Sequence, residues 1–222
     1  MNKLGWILAL GILGSLAFAQ ACSHPYFPVA EGRTWQYRST EPGSSDYTVS
    51  ILQVSAKGFV QRMTFGKSSF DLRWDCTASG LVQLDFLSMG GPENQGAEIK
   101  TKTLKSSGVV FPPANLAVPG TSWAYSYVIE QEIKSGDTTI ISTSTVEVQN
   151  KIVASEKVTV PAGTFTALRV DSTSIIKGTM KAAGQSIPMN NTVQTSSWYA
   201  KDVGMVKSTA AGYTTELVSY KR

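Results

Sequence analysis

The side chains that could do acid–base or nucleophilic chemistry are few, and the single histidine is the first of them. His24 lies beside Pro25 near the start of the chain. This count excludes a metal site made of several histidines. A Ser-His-Asp triad would have to use His24, and no neighbouring residue would hold its ring in place. We therefore expect His24 to have no catalytic role.

Two short motifs are similar to those of penicillin-binding enzymes. Ser174 and Lys177 fit Ser-x-x-Lys, and 134–136 reads Lys-Ser-Gly, close to Lys-Thr-Gly. That chemistry needs the serine and the lysine on one side of a helical turn. The surrounding residues have a strand pattern, in which positions three apart point to opposite faces. The two motifs also occur in the wrong order, so we reject this activity.

Paired carboxylates raise the possibility of glycoside hydrolysis. Glu130 and Glu132 share one strand face, and Asp71 and Asp75 share another with Arg73 between them. A glycosidase needs two carboxyls that flank a sugar, one of them buried so that its pKa is raised. These carboxylates lie beside basic residues on faces that we assign to solvent. A hydrolase is thus the third choice, and the sequence predicts no catalytic residue, no metal site and no cofactor.

The first 19 residues have the pattern of a secretory signal peptide. Lys3 is followed by an apolar run over 4–16, and Ala17 and Ala19 form a cleavage site of small residues. The run is shorter than the roughly 20 apolar residues that cross a membrane, and no later segment is longer. We predict a signal peptide over 1–19 and an exported protein, periplasmic or extracellular, with no transmembrane segment in the mature chain.

The two cysteines leave two alternatives open. Export would place Cys22 and Cys76 in an oxidising compartment, where a disulfide between them would persist. Cys22 also lies where a lipoprotein would be acylated, although Gln20 departs from the small residues that such a signal needs. The disulfide is the preferred prediction. A lipid anchor on Cys22 is the alternative, and it excludes the disulfide because both use the same sulfur.

Alternation with a period of two dominates the remaining sequence and predicts strands. In 69–76, Phe70, Leu72, Trp74 and Cys76 share one face, and 123–134 places Trp123, Tyr125, Tyr127, Ile129 and Ile133 on one face. The further predicted strands are 33–40, 46–55, 58–65, 80–88, 97–104, 138–154, 157–160, 164–179, 186–200, 203–209 and 212–221. Since they are joined by short turns, we expect an all-β, mostly antiparallel fold with few or no long helices.

The domain organisation follows from length and composition. Residues 20–222 suit a single β domain, and a division into two β halves near 89–121, where Gly and Pro are frequent, is the alternative. The formal net charge of +4 comes from scattered basic residues. Without a basic patch, nucleic-acid binding is not expected.

The stretch "VTVPAGTFTALRV" at 158–170 is a glycine turn between two strands. No helix follows Gly163, so the turn offers no helix N-terminus to a phosphate. We expect a three-residue hairpin loop that begins at Pro161 and ends at Gly163 with positive φ. In that register, Val158 and Val160 would share a face with Leu168 and Val170.

The aromatic strand faces and the apolar loop 108–119 are the best candidates for a binding site. They could be ordinary core and the cap of that core, or they could line a cavity. The candidate ligand-binding residues are Trp35, Tyr37, Phe70, Trp74, Phe111, Leu116, Trp123, Tyr125 and Tyr127.

Four stretches together resemble a domain-of-unknown-function family of exported bacterial β proteins. They are "YFPVAEGRTWQY" (26–37), "VTVPAGTFTALRV" (158–170), "WYAKDVGMVKS" (198–208) and "ELVSYK" (216–221). The family's marks are Val-Pro-Ala-Gly-x-Phe and Trp-Tyr-x-x-x-x-Gly-x-Val-Lys. The resemblance implies a large curved antiparallel sheet, similar to the half-barrels of periplasmic lipoprotein carriers, which hold acyl chains in their concavity. It implies no catalytic residues.

The leading functional hypothesis is an exported, non-enzymatic module that binds an apolar ligand, a lipid or acyl chain, in the concavity of the sheet. The alternative is a structural or protein-interaction domain of the cell envelope, with the loop 108–119 as the contact with an envelope protein.

Overall fold

The computed structural model describes residues 22, 24–40, 42–86, 98–182 and 184–222, and its strands form one 12-stranded antiparallel sheet. The strands are β1 (Thr34–Ser39), β2 (Tyr47–Val54), β3 (Gly58–Phe65), β4 (Ser68–Thr77), β5 (Gly80–Gln83), β6 (Glu98–Gly108), β7 (Ser122–Ser135), β8 (Thr138–Val160), β9 (Gly163–Ala182), β10 (Gln185–Ala200), β11 (Gly204–Ala210) and β12 (Tyr213–Lys221). A 3-10 helix, Ala114–Leu116, is the one helix of the described part. The predicted all-β antiparallel fold is confirmed.

The sheet curves until its two edge strands approach each other. Its order is β5-β4-β3-β2-β1-β12-β11-β10-β9-β8-β7-β6, so the first and last strands pair in its middle. Near the edges, Leu81 forms an isolated bridge with Phe111. The Tyr127 hydroxyl of β7 donates to the Gln83 carbonyl of β5 at 3.1 Å. The predicted half-barrel is thus nearly closed.

Alternation along the strands separates core from solvent as the sequence predicted. In β4, Leu72 and Trp74 are buried, whereas Asp71, Arg73 and Asp75 are exposed. Three predicted strands differ most from the observed ones. Residues 138–154 and 157–160 belong to one strand, β8, whose bulge after Ile152 replaces the expected break. The strand predicted at 80–88 ends at Gln83.

The N-terminal segment fills the interior of the curved sheet. The ring of Phe27 lies 4.9 Å from Trp74, 5.8 Å from Phe59 and 6.3 Å from Phe111 between centroids. These residues belong to, or pack against, the largest core cluster, which extends from β1 to β12. We call residues 24–28 the plug, because they occupy the inside of the sheet.

A disulfide ties the start of the described chain to the sheet. Cys22 and Cys76 are bonded, with their Cα atoms 5.1 Å apart. The predicted disulfide is therefore present, and it uses the sulfur that a lipid anchor would need. The bond holds the entry of the plug against β4.

The hairpin between β8 and β9 has a shorter loop than expected. Val160 pairs directly with Gly163, so two residues rather than three separate the paired positions. Gly163 has the predicted positive φ, +135°. Because the pairing moves by one residue, the predicted faces were wrong.

The observed register gives the hairpin a different inner face. Val158 pairs with Phe165, and both belong to or pack against the largest core cluster together with Ala167. Leu168 and Val170 instead join a second cluster around Ile152. Both faces of this hairpin are therefore covered by apolar residues.

Two predictions concern segments that are partly or wholly undescribed. The signal peptide over 1–19 lies outside the described residues, and the division near 89–121 falls partly on residues 87–97, which are also outside them. Within the described ranges, the model has no helix with the length and hydrophobicity of a membrane span.

Candidate functional site

A small apolar cavity lies inside the sheet between β1–β3 and the start of β11. Its volume is about 140 Å³. We call it the tyrosine pocket. One wall consists of Trp35, Tyr37, Tyr47, Val49, Ile51, Gln61 and Met63, and the other of Phe27, Pro28, Tyr199, Gly204 and Met205.

Strand pairing explains why the first wall is continuous. Directly opposed residues of antiparallel strands point to the same face. Tyr37 pairs with Tyr47, and Tyr47 pairs in turn with Phe65. The next row is formed by Trp35, Val49 and Met63. Alternate residues of three strands therefore meet on one inward face.

The aromatic rings of this wall are stacked. Tyr37 and Tyr47 have ring centroids 5.1 Å apart at an interplanar angle of 24°. Tyr47 and Phe65 are 4.9 Å apart at 26°. Offset stacking at such distances is favourable and restricts the rotation of each ring. Tyr47, at the centre of the stack, thus has a fixed orientation.

Two hydrogen bonds hold the walls together. They run from side chains of the first wall to the backbone of Val203, which precedes β11, and of Met205 in β11. The indole N–H of Trp35 donates to the Val203 carbonyl at 2.6 Å. The hydroxyl of Tyr37 donates to the Met205 carbonyl at 2.9 Å. Because both acceptors are backbone atoms, the spacing between the walls is set by the chain itself.

The polar groups of the pocket are neutral. Burial raises the pKa of Tyr37 well above its ordinary value, with additional effects of Tyr47 and Tyr199. Burial likewise raises the pKa values of Tyr47 and Tyr199. All three phenols are therefore protonated at neutral pH and can donate hydrogen bonds. The lining contains no charged side chain.

Six of the nine predicted binding residues lie in the pocket or in the solid core. Of the nine, Trp35 and Tyr37 line the pocket. Trp74 and Phe111 are buried against the plug. Tyr127 lies in a separate cluster with Tyr125 packed against it.

The other three predicted residues do not line the pocket. Phe70 makes an edge contact with Phe65 at 6.3 Å. The Trp123 indole donates to the Val110 carbonyl at 3.1 Å. Leu116 is 48% exposed on the loop. These three do not meet in one binding surface.

Several pocket residues were missed from the sequence. Tyr47 and Met63 lie on predicted strands, and the pairing of β1 with β2 and of β2 with β3 places them on the face of Tyr37 and Trp35. Phe27 gave no such signal, because the plug has no regular secondary structure. Tyr199 and Met205 come from strands distant in sequence, which the pairing of β12 with β1 and of β11 with β12 brings to β1–β3.

His24 is buried in the plug rather than in any cleft. It is 5% exposed, and its ring packs edge-on against Phe111 at 4.7 Å. Its Nδ1 accepts the backbone N–H of Tyr26 at 3.2 Å. Burial lowers the pKa of His24 to about 4, and the Pro112 carbonyl partly opposes this. Within the described ranges, no group of three or more acidic, histidine or cysteine residues could hold a metal.

A larger polar groove of about 1580 Å³ crosses β7–β11. Its central charges already pair with each other: Arg169 donates to both Asp171 oxygens at 2.8 and 3.0 Å. The Ser196 hydroxyl also donates to Asp171, at 2.7 Å. Since these groups satisfy one another, the tyrosine pocket is the stronger candidate site.

Fold and pocket together define a class of protein in which one antiparallel sheet closes around an aromatic interior. The chain belongs to the DUF3108-like family, whose sequence profile matches residues 75–222. This confirms the family resemblance inferred from the motifs. No curated protein matches the chain.

Two solved structures share the fold. One is a protein of Bacteroides fragilis described as exported and as having a YmcC-like fold. It is 18% identical, with a TM-score of 0.53, over 90% of this chain and 100% of that one. The other, from Parabacteroides distasonis, is described as a lipoprotein. It is 14% identical, with a TM-score of 0.52, over 89% of this chain and 99% of that one. At these identities the likeness concerns the fold.

Proposed function

We propose that this protein is an exported, non-enzymatic binding protein that holds one end of an apolar ligand, such as a lipid or acyl chain, in the tyrosine pocket. The observation that carries the proposal is the pocket itself: an unfilled space lined by aromatic, aliphatic and methionine side chains. Methionine adapts to ligands of different shape, and Met63 and Met205 stand on opposite walls.

The size of the pocket limits how much ligand it holds. Small-molecule sites usually measure about 300–1,000 Å³, whereas the tyrosine pocket measures about 140 Å³. It therefore takes one end of a ligand while the remainder projects outward past half-buried Tyr47 and Met63. Each buried CH2 contributes about 0.8 kcal/mol, so four would contribute about 3 kcal/mol.

Export is part of the proposal. The solved structures of the same fold are described as an exported protein and a lipoprotein. The Cys22–Cys76 disulfide is typical of an oxidising compartment. Residues 1–19 would then be removed as a signal peptide, and 20–222 would form a single domain. The intact mass of the purified protein tests the cleavage.

A pair of matched variants tests ligand binding. Protein purified from its own host is measured by native mass spectrometry, with lipid extraction of the same sample. Met63→Trp fills the pocket, and Met189→Trp makes the same change on β10, away from the pocket lining. We expect bound lipid on the wild type and on Met189→Trp, and its loss from Met63→Trp. Wild-type protein without any bound apolar molecule would contradict the proposal.

A second candidate function, contact with an envelope protein, rests on the apolar loop before β7. Leu116 and Val118 are 48% and 51% exposed, although the same loop buries Phe111 and Ala117. A photo-crosslinking residue at position 116 should capture one defined protein in cells. The same residue at the exposed position 153 on β8 serves as the control, and equal capture from both positions would argue against a specific contact.

A further inference from the structure

The walls of the tyrosine pocket contain two polar groups that no protein group satisfies. Within the described part of the chain, neither the Tyr47 hydroxyl nor the Gln61 side-chain amide has a hydrogen-bond partner, although Tyr37 and Trp35 beside them are both paired. Tyr47 and Gln61 lie on the same face, since Tyr47 and Ile51 alternate along β2 and Ile51 pairs with Gln61. Both side chains also line the pocket, so a ligand that extends along it can contact both.

The charges of this part of the sheet point away from the pocket. Arg62 lies between the inward residues Gln61 and Met63 and so faces the other side. There its guanidinium donates to both oxygens of Asp71, at 2.7 and 2.8 Å. This cation is exposed and already engaged, so it cannot neutralise an anion held inside.

An anionic group would lose its hydration in this pocket without gaining a counter-ion. Burying an unpaired carboxylate is far more costly than burying a hydroxyl or carbonyl that makes hydrogen bonds. The neutral phenol of Tyr47 offers a donor and an acceptor, and Gln61 offers both as well. These groups match an uncharged polar group and leave a carboxylate or phosphate unpaired.

We propose that the ligand of the tyrosine pocket enters with an uncharged, hydrogen-bonding polar group, such as an alcohol or a carbonyl, and that Tyr47 and Gln61 select it against anionic amphiphiles. This inference rests on the proposed binding function and adds the chemical class of the ligand. Tyr47 and Gln61 are its specificity-determining residues.

Two probes of equal chain length test the selection. Binding of 1-octanol and of octanoate to the wild-type protein is measured by isothermal titration calorimetry at pH 8, where octanoate is ionised. We expect octanol to bind at least about tenfold more tightly, since the carboxylate must be desolvated without a partner. Equal or tighter binding of octanoate would overturn the inference while leaving the binding function in place. Absence of binding by both probes would overturn the binding function and the inference with it.

Three variants assign the selection to the two residues. Tyr47→Phe keeps the stacked ring and should weaken octanol binding about fivefold, as expected for one lost hydrogen bond. Tyr213→Phe, on a 39% exposed side chain outside the pocket, is the matched control and should change nothing. Gln61→Lys supplies a cation and should reverse the preference toward octanoate. Near-ultraviolet circular dichroism verifies that each variant is folded. Unchanged octanol affinity in Tyr47→Phe together with unchanged preference in Gln61→Lys would refute the assignment.

Discussion

Acid should destabilise this protein through His24. The ring is buried among aromatic side chains, and its pKa is lowered to about 4 from an ordinary value of 6.5. In the unfolded chain the ring binds a proton below pH 6.5, whereas in the folded protein it stays neutral until about pH 4. The free energy of unfolding is therefore fully retained above pH 6.5, falls as the pH decreases toward 4, and levels off below that.

The size of the effect follows from the shift. One pKa unit corresponds to about 1.4 kcal/mol, so the full difference could reach about 3 kcal/mol. We expect about 2 kcal/mol between pH 7.5 and pH 4.5, because the last part of the shift titrates only below pH 4.5. Most of this change should fall between pH 6.5 and pH 4.5.

Urea unfolding of the wild type and of His24→Phe measures this contribution. Carboxylates titrate in both proteins, so their effect cancels in the difference. His24→Phe preserves the edge contact with Phe111 but cannot be protonated. We compare the free energies of unfolding of the two proteins at each pH. As the pH is lowered from 7.5 to 4.5, their difference should change by about 2 kcal/mol in favour of the variant.

The chain contains a single histidine, which permits a direct measurement of its pKa. In untagged protein, the imidazole signal in a carbon–proton NMR spectrum needs no assignment. We expect no movement between pH 8 and pH 5. A signal that titrates near pH 6.5, or a stability difference constant within about 0.5 kcal/mol over the pH range, would refute the argument.

Four further substitutions probe the turn, the disulfide and the plug. Gly163→Val should lower the free energy of unfolding by about 1–3 kcal/mol because a β-branched residue is strained at φ +135°. The melting temperature should fall while octanol binding is kept. Lost binding at an unchanged melting temperature would contradict a purely structural role. Cys76→Ser should lower the free energy of unfolding by about 2–5 kcal/mol. Cys22→Ser should lower it equally because each substitution removes the same bond. Unequal losses in denaturant titrations would show a separate role for one cysteine. Phe27→Ala should lower the free energy of unfolding by about 3–5 kcal/mol through the cavity left beside Trp74. It should also let the pocket hold alcohols longer than octanol. If calorimetry shows an unchanged preference for chain length, the plug does not limit the pocket.

Much of the fold could be predicted from the sequence because strand alternation is a local signal. The inward faces of β4 and β7 follow from the spacing of Trp74, Tyr127 and their neighbours. The hairpin at Gly163 shows the limit of such reasoning. Its position and positive φ were predicted, but a loop shorter by one residue places Val158 and Leu168 on opposite faces instead of on one.

The candidate site could be predicted only in part, because the pairing of the first strand with the last is a long-range property. Trp35 and Tyr37 were identified from their own strand. Tyr199 and Met205 reach them only after β12 has paired with β1 and β11 with β12. The plug was missed because its residues have no periodic pattern, and Phe27 fills space that the strand pattern alone left open.

The pairing of β1 with β12 also determines when the protein can fold. Thr34 and Lys221, near opposite ends of the chain, are direct partners. One edge of β1 therefore stays unpaired until the last strand has been synthesised and delivered. Contacts so distant in sequence form slowly, and an open strand edge favours aggregation during the delay. A chain exported N-terminus first would thus complete its sheet only after translocation ends, and chaperones that shield open strand edges would be needed most in that interval.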